Sequence, residues 1–300
     1  MQSIDCFAKV YSTEVLINDH SFLLAGDTWH LFHVCYYPDG ATGDVIGHAT
    51  SKDLRHWQRQ PGVVPKAPAP SLEASRGGNA PYAVAWEGRY YLFYSRYEMI
   101  DPALPSPDRQ QIGLAVSNDL FTWEKHPENP IFHPAPFWCP WEDEPKAAQY
   151  RPRACRDPHV MRIGDQFVMY YVAMTRKPRI CAVAHAVSGD LVHWVDRGPV
   201  TTLPICSEKG DKGQIMAESP CVVWHAGRWH LFFVHGMGMR WGTSDTPFEF
   251  PEATIEYHAH AAEVFRWGDD WYMSSCMGTG GLGLARLDMD QSPPKLEPLP

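Results

Sequence analysis

The sequence predicts an all-β protein folded as a single five-bladed β-propeller over residues 1–300. The first observation is a phrase that occurs five times: a short apolar strand, a turn rich in Gly and Asp, and an aromatic strand. The second is another repeat that follows most copies, and the third is the lack of any segment with the apolar spacing of a long helix. The five copies of the phrase span residues 17–36, 80–96, 158–174, 220–235 and 261–276. Repeated antiparallel units of this kind are typical of propeller blades.

The phrase itself supplies the first two strands of each blade. The first aromatic residue after each turn serves as an anchor for alignment, and the anchors are Trp29, Tyr90, Phe167, Trp229 and Trp271. In a propeller the first strand of every blade lies next to the central axis. We therefore expect the residues at the start of these strands to meet at one mouth.

The second repeat supplies the third strand and the entry to the fourth. It reads IGHATSKDLRHW at 46–57, IGLAVSNDLFTW at 112–123 and VAHAVSGDLVHW at 183–194, so an alternating strand ends in a Ser-x-Asp-Leu turn before a Trp. The fifth unit is one strand short, and residues 6–11 form a spare strand at the N-terminus. Pairing the two would close the ring and leave no open sheet edge.

The composition narrows the possible partners. Asp and Glu number 35 against 26 Lys and Arg, and the basic residues form no runs, so neither nucleic acid nor an anionic membrane is expected as a partner. The chain has no apolar stretch long enough to span a bilayer. Because its first residues lack a signal-peptide pattern, we expect a cytoplasmic protein. The eight cysteines lack metal-binding spacings and are expected to be buried free thiols.

Acids recur at one place before the anchors. Asp19 and Asp157 lie ten residues before their aromatic anchors, and Asn79, Glu218 and His260 lie eleven before theirs. Each one alone could simply serve a turn or the entry to a strand. Identical turn requirements would place acids in all five units, so three acids, an amide and an imidazole indicate a site at the axis.

Carboxylates gathered at one mouth suit the cleavage of a glycosidic bond. One carboxylic acid protonates the leaving oxygen, while a carboxylate attacks the anomeric carbon or activates water. Repulsion and burial separate the pKa values of such acids, so that both forms coexist near neutral pH. The sequence carries no P-loop, HExxH or GxSxG motif for other chemistries.

The chain resembles the five-bladed propeller glycosidases of glycoside hydrolase families 43 and 62 and families 32 and 68. The resemblance covers most of the chain and rests on Asp19 with the following GDTWHLF, on Arg156-Asp157-Pro158, on Glu218-Ser219-Pro220 and on the repeated S-x-D-L-x-x-W. It implies that Asp19 is the general base or nucleophile. It further implies that Asp157 tunes the acid and holds the sugar, and that Glu218 is the general acid.

Two departures favour family 43 and an inverting reaction over families 32 and 68. Those two families tend to have a longer Asn-Asp-Pro motif where this chain has Asn18-Asp19-His20, and a Glu-Cys pair where it has Glu218-Ser219. The sugar stays open among arabinose, xylose, galactose and fructose. The alternatives are a phosphorylase resembling glycoside hydrolase family 130, which would use phosphate instead of water, and a sugar-binding propeller without catalysis.

Further residues are candidates for binding an oligosaccharide or glycoside substrate. Asn79, Arg156 and His260 could bind the sugar, and Trp138 and Trp141 could stack on sugar rings. Asn79 could instead cap a turn, Arg156 could pair with a neighbouring carboxylate, and the two indoles could pack their loop against the protein. No cofactor is expected to be required. The family 43 pattern implies that His260 could bind a calcium or sodium ion in the central channel, and a histidine satisfied by neighbouring backbone is the alternative.

Overall fold

The computed structural model describes residues 2–36, 45–65, 78–99, 108–139, 154–176, 179–204, 217–236, 238–277 and 281–299. Within these residues, five antiparallel sheets follow one another along the chain, and the predicted five-bladed β-propeller is confirmed. The helical structure in this part of the chain is a single 3₁₀ turn at Ile4–Cys6. No helix in the described ranges is long and apolar enough to cross a membrane.

Each of the first four blades consists of four strands joined in chain order. Blade one contains β2 (Leu16–Ala25), β3 (Thr28–Tyr36), β4 (Ile46–Ser51) and β5 (Trp57–Val63). Blade two contains β6 (Asn79–Trp86), β7 (Arg89–Met99), β8 (Asp108–Ser117) and β9 (Trp123–Lys125). Blade three contains β10 (Cys155–Ile163), β11 (Gln166–Arg176), β12 (Arg179–Ser188) and β13 (Trp194–Pro204). Blade four contains β14 (Ala217–His225), β15 (Arg228–His235), β16 (Met239–Ser244) and β17 (Thr254–Tyr257).

The fifth blade combines both ends of the described chain. Its inner strands are β18 (Val264–Trp267), β19 (Asp270–Cys276) and β20 (Leu282–Asp288), and β1 (Ala8–Tyr11) completes it from the N-terminus. Strand β1 lies antiparallel to β20, with Ala8 opposite Leu284. The short β21 (Lys295–Glu297) pairs with the far end of β20, with Leu296 opposite Leu287. Because these pairings cover β20, the edge of the last blade is not left open.

The Ser-x-Asp-Leu segments form one recurring turn. In blade one, Asp53 Oδ1 accepts hydrogen bonds from the N–H groups of Arg55 and His56 at 2.9 and 2.8 Å. Leu54 has a φ of 61° and is buried, and the Trp57 indole N–H donates to its carbonyl at 3.0 Å. The turns at Asp119 and Asp190 repeat these bonds. The Asp side chain thus satisfies backbone donors that would otherwise be unpaired at the end of the third strand.

The hydrophobic core lies between neighbouring blades. One cluster joins blades three and four through side chains such as Tyr170, Val183, Leu231 and Phe233, which are all almost fully buried. Similar clusters join the other blades around the ring. Because each sheet buries both faces against its neighbours, the fold holds the five inner strands in fixed positions around the axis.

A β-bulge interrupts the inner strand of the first four blades at the same place. The pairing of the first two strands breaks between Ile17 and His20 in blade one and between Arg156 and His159 in blade three, and blades two and four show the same break. Left-handed φ angles occur at this place in blades two to five, at Ala80, Asp157, Ser219 and Ala261. Such backbone is strained for residues other than glycine and concentrates at functional sites. The bulge therefore marks the part of each inner strand where functional residues are expected.

Candidate active site

The three acids lie at the bulges of three different blades, and each occupies a different one of three successive positions. Glu218 is the last paired residue before the bulge, opposite Val234, whereas Asp157 is the first of the two unpaired residues and has a φ of 56°. Asp19 is the second unpaired residue of its bulge. The count from the aromatic anchors had placed these acids at one depth. Glu218 lies one position before Asp157 because its offset from the anchor is eleven and not ten. Asp19 lies one position after Asp157 because the first hairpin of blade one is one residue longer on each strand.

The bulges bring these acids to one polar pocket of about 100 Å³. The residues that line it are Asn18, Asp19, Asn79, Ser95, Tyr97, Gln110, Arg156, Asp157 and Glu218. Five of the residues singled out in the sequence, Asp19, Asn79, Arg156, Asp157 and Glu218, are therefore together. They come from the first four blades, which is why no local motif contains more than two of them.

Ser219 joins two of the carboxylates. Its hydroxyl donates to Asp19 Oδ1 at 2.9 Å, and its backbone N–H donates to Asp157 Oδ2 at 3.0 Å. The backbone N–H of Asp157 in turn donates to the buried Ser95 Oγ at 3.0 Å. Hydrogen bonds of this kind fix the direction of a carboxylate and favour its ionised form.

Arg156 links the third acid, Glu218, to Asp157. Its Nη2 lies 2.7 Å from Glu218 Oε1, and its Nε lies 3.5 Å from Asp157 Oδ2. Burial lowers the pKa of the guanidinium, but the carboxylates of Asp157 and Glu218 more than offset this, so its pKa is raised. Arg156 is therefore a fixed positive charge between two acids.

Burial and mutual repulsion act against the ionisation of the two aspartates. Burial and the charge of Glu218 raise the pKa of Asp19 to about 6, against the opposing hydrogen bond from Ser219. Burial raises the pKa of Asp157 to about 7, where the charges of Asp19 and Glu218 add to it and Arg156 opposes it. Acid and carboxylate forms thus coexist near neutral pH within one coupled group, as acid–base catalysis requires.

The raised pKa of Asp19 predicts a change in stability when this residue becomes Asn. Between its unfolded pKa near 3.8 and its folded pKa of about 6, the folded state binds the extra proton, so its stability falls as the pH rises. Asn mimics the neutral carboxyl group and avoids that loss. We expect Asp19→Asn to unfold at a higher temperature than wild type at pH 7.5, by about 2–4 °C for each kcal/mol recovered. The two proteins should unfold at nearly equal temperatures at pH 4.

Calorimetry at the two pH values tests this expectation. The fully exposed Asp165 is the control position, where the same substitution should leave the unfolding temperature unchanged at both pH values. A lower unfolding temperature of Asp19→Asn at pH 7.5 would contradict a buried carboxylate with a raised pKa.

Three polar side chains extend the pocket beyond the acids. The amides of Asn79 and Gln110 each donate to the Tyr97 hydroxyl at 2.9 Å. Their carbonyl oxygens, Asn79 Oδ1 and Gln110 Oε1, are buried and have no hydrogen-bond partner among the described residues. Buried acceptors without a donor are uncommon, and hydroxyl groups of a ligand would satisfy them.

The remaining sequence candidates lie apart from this pocket. His260 occupies the place in blade five that corresponds to Glu218, but its side chain is exposed and does not line the pocket. Its backbone N–H donates to Ser275 Oγ at 3.1 Å. The indole N–H of Trp138 donates to Asp196 Oδ2 at 2.7 Å, which directs this ring to blade three, away from the carboxylates. Trp141 lies outside the described residues.

Three residues that line the pocket, Ser95, Tyr97 and Gln110, and the neighbouring Ser219 had no role predicted from the sequence. Ser95 and Tyr97 share one face of β7, and Gln110 lies on the adjacent β8. Ser219 was quoted as part of a motif, but the sequence did not show that it bridges two carboxylates. These contacts join residues about 60 to 200 positions apart in the chain, so only the blade order could have indicated them.

The family comparison agrees with this architecture. Residues 11–202 match the model of the glycosyl hydrolases family 32 N-terminal domain, which is more than half of the chain. The chain belongs to this family. The matched segment contains Asp19, Arg156 and Asp157, and Glu218 follows it. The motifs alone favour family 43 over family 32, whereas the match over residues 11–202 is to family 32.

Solved structures of three glycosidases share the fold. The family 32 β-fructofuranosidase BmSUC1 of Bombyx mori superimposes with a TM-score of 0.73 at 19% identity, covering 98% of this chain and 65% of that one. Fructan 1-exohydrolase IIa of Cichorium intybus has a TM-score of 0.72 at 16% identity, covering 100% of this chain and 62% of that one. This chain thus spans less than two thirds of the length of either enzyme.

A smaller relative has the same propeller. The α-L-arabinanase of Cellvibrio cellulosa, solved with arabinohexaose, superimposes with a TM-score of 0.64 at 15% identity. The match covers 95% of this chain and 96% of that one. At these identities the likeness shows the fold alone.

Proposed function

We propose that this protein hydrolyses β-fructofuranosidic bonds in a small saccharide. The observation that carries the proposal is the pocket in which Asp19, Asp157 and Glu218 meet beside Arg156 in a member of family 32. Two structural neighbours are named a β-fructofuranosidase and a fructan exohydrolase, which supports fructose as the sugar whose bond is cleaved.

Glu218 is the general acid of the proposed reaction. Its side chain is 36% exposed, so the pocket mouth gives it access to the oxygen of the leaving group. Arg156 holds Oε1 at 2.7 Å, which leaves Oε2 to carry the proton. Protonation of the leaving oxygen allows the glycosidic C–O bond to break without releasing an alkoxide.

Asp19 is the carboxylate that acts on the anomeric carbon. Ser219 holds Oδ1 at 2.9 Å, and Oδ2, whose contact with the Asn18 amide is long at 3.5 Å, acts on the sugar or on an attacking water. If Asp19 attacks directly, the product keeps the configuration of the substrate, and if it activates water, the configuration inverts. Proton NMR of the first product formed, before mutarotation, distinguishes the two.

Asp157 positions the sugar rather than taking part in bond cleavage. Its carboxylate accepts the Ser219 N–H and lies beside Arg156, so it is held in one direction at the pocket floor. In the proposed complex it accepts hydrogen bonds from two neighbouring hydroxyls of the fructosyl ring. Asn79 and Gln110 supply further acceptors in the same pocket.

A substrate screen tests the proposed function. The probes are sucrose, a short β-2,1-linked fructo-oligosaccharide, and aryl arabinofuranoside, xyloside and galactoside, each with and without inorganic phosphate. We expect fructose release from the first two at a rate that does not depend on phosphate. Release of pentose or galactose only, or a requirement for phosphate, would replace the fructosidase with one of the alternatives. Binding of fructo-oligosaccharide without any turnover would indicate a sugar-binding propeller.

Ser219 should set the pH dependence of the reaction. Its hydroxyl lowers the pKa of Asp19, so Ser219→Ala should raise that pKa above about 6. Since Asp19 must be ionised, the acidic limb of the kcat/KM profile should move to higher pH, while the rate at high pH falls by less than about tenfold. Ser21→Ala is the matched control, because Ser21 is buried two residues from Asp19 and its Oγ has no hydrogen-bond partner in the described ranges. An acidic limb that stays in place would show that Ser219 does not act through Asp19.

A further inference from the structure

A second layer of side chains lies on the inner strands at the position directly after the bulge. In the first four blades it consists of the first paired residue after the bulge, namely His20, Tyr82, His159 and Cys221. Glu263 is the corresponding residue of blade five, two residues after the left-handed Ala261. In blades three and four the member of this layer likewise follows the left-handed residue by two, at Asp157 and Ser219.

Three members of this layer form a compact set of metal-binding groups. One nitrogen of His159, the Cys221 sulfur and one carboxylate oxygen of Glu263 all lie within 4.8 Å of one another. His159 Nδ1 is 3.8 Å from Glu263 Oε2. The side chains of His159 and Glu263 are only 4% and 15% exposed, and Cys221 is fully buried.

The histidine is already oriented for coordination. Its Nε2 lies 3.0 Å from the carbonyl oxygen of Val222 and 3.2 Å from the backbone nitrogen of the same residue, so the Val222 backbone fixes the orientation of the ring. Its Nδ1 lies on the side of Glu263, is buried and has no hydrogen-bond partner among the described residues. In the tautomer whose Nε2–H donates to the Val222 carbonyl, Nδ1 carries the lone pair that a metal ion needs. Metal-binding histidines commonly have their second nitrogen fixed in this way by a backbone carbonyl.

We propose that His159, Cys221 and Glu263 bind one zinc-class divalent ion on the propeller axis. A thiolate, an imidazole and a carboxylate are the ligands that zinc uses in proteins, and the thiolate disfavours calcium and sodium, which prefer oxygen. The site therefore differs from the calcium or sodium ion at His260 that the sequence resemblance implied. The backbone N–H of Val264, 3.3 Å from the Cys221 sulfur, would stabilise the thiolate.

A water molecule is the fourth ligand. A cavity of about 10 Å³, near the size that one water needs, is lined by Glu263 and by residues of the acid cluster, including Asp19, Asp157 and Ser219. The ion would tie the inner strands of blades three, four and five together two residues from Asp157 and Ser219. Its role is to fix the bulges that carry these groups, so the three ligands are positioning residues.

Metal content and cobalt spectroscopy test the site. The full chain is purified without chelator, its zinc is measured by mass spectrometry, and zinc is exchanged for Co²⁺. We expect about one zinc per chain and a near-ultraviolet thiolate-to-cobalt charge-transfer band. Removal of zinc should lower the unfolding temperature, and added zinc should restore it.

Variants assign the ligands. Cys221→Ser should abolish the thiolate-to-cobalt band, whereas Cys181→Ser, at a buried cysteine whose sulfur lies 3.7 Å from the Leu203 carbonyl, should keep it. Glu263→Gln should weaken cobalt binding at least tenfold and keep the band. A wild-type chain that binds neither zinc nor cobalt, or a band that persists in Cys221→Ser, would overturn the proposal. The wild-type measurements remain decisive if a variant does not fold.

Discussion

Replacing Asp19 with Asn is expected to lower kcat/KM by at least about 10⁴-fold on every fructoside that the wild-type protein cleaves. Loss of a nucleophile or essential base removes an interaction present in the transition state, and effects of roughly 10⁴ to 10⁶ are typical. A factor of 10⁴ corresponds to about 5.5 kcal/mol of transition-state stabilisation. The loss should be the same for good and poor leaving groups, because Asp19 acts on the anomeric carbon.

Initial rates with sucrose and with an aryl β-fructofuranoside check this expectation. Asp165→Asn carries the same substitution at a fully exposed aspartate and should keep the wild-type rates. Since Asp19→Asn is also expected to be more stable than wild type at pH 7.5, an inactive protein with a raised unfolding temperature cannot be explained by misfolding. Rates within tenfold of wild type would remove Asp19 from the catalytic group.

The opposite effects on rate and stability have one physical cause. Asp19 and Asp157 are acids held where burial raises their pKa values, and Asp157 also has a left-handed backbone angle. Both features lower the stability of the folded state, and surrounding structure must compensate for them. The buried clusters between neighbouring blades supply that compensation, because they hold the inner strands from both sides.

The blades could be predicted from the sequence because each one is a local pattern. Alternating apolar residues, a two-residue turn and the Ser-x-Asp-Leu segment lie within about sixty residues of each other, and local hydrogen bonds such as those of Asp53 enforce them. The additional pairing of β21 with β20 was not foreseen, because Lys295–Glu297 is too short to show alternation.

The acids of the site could also be predicted, but their exact positions could not. A count along the chain cannot show a β-bulge, which leaves two residues unpaired and shifts the register of everything before it. Asp19 and Asp157 have an offset of ten and Glu218 has one of eleven, yet the three occupy three different positions at the bulge, because the first hairpin of blade one is one residue longer than the others. Contacts between blades, such as that of Ser219 with Asp19, depend on that register.

Trp138 shows that the type of a residue alone does not predict whether its side chain binds a ligand. An indole in a long loop could stack on a sugar or pack the loop against the protein, and the sequence does not distinguish these uses. Its hydrogen bond to Asp196, a residue 58 positions away, fixes it on blade three. That partner could be identified only once β13 was known to lie beside the loop.

Replacing Glu218 with Gln is expected to produce a loss that depends on the leaving group. With sucrose the leaving oxygen needs a proton, so kcat/KM should fall by roughly 10² to 10⁴-fold. With an aryl β-fructofuranoside of low leaving-group pKa, protonation matters little, and the loss should be less than about tenfold. Initial rates on both substrates give the ratio that identifies a general acid.

Comparison with Asp19→Asn shows whether the ratio of the two losses reports a missing general acid or a general defect of the pocket. A general defect of the pocket would lower both rates equally in Glu218→Gln, as is expected for Asp19→Asn, and would contradict the assignment of Glu218 as the acid. Glu124→Gln, at an exposed position on β9, is the matched control and should leave both rates unchanged. Gln keeps the size of the side chain beside Arg156 but can neither ionise nor transfer a proton, so the dependence of the loss on the leaving group measures proton transfer by Glu218.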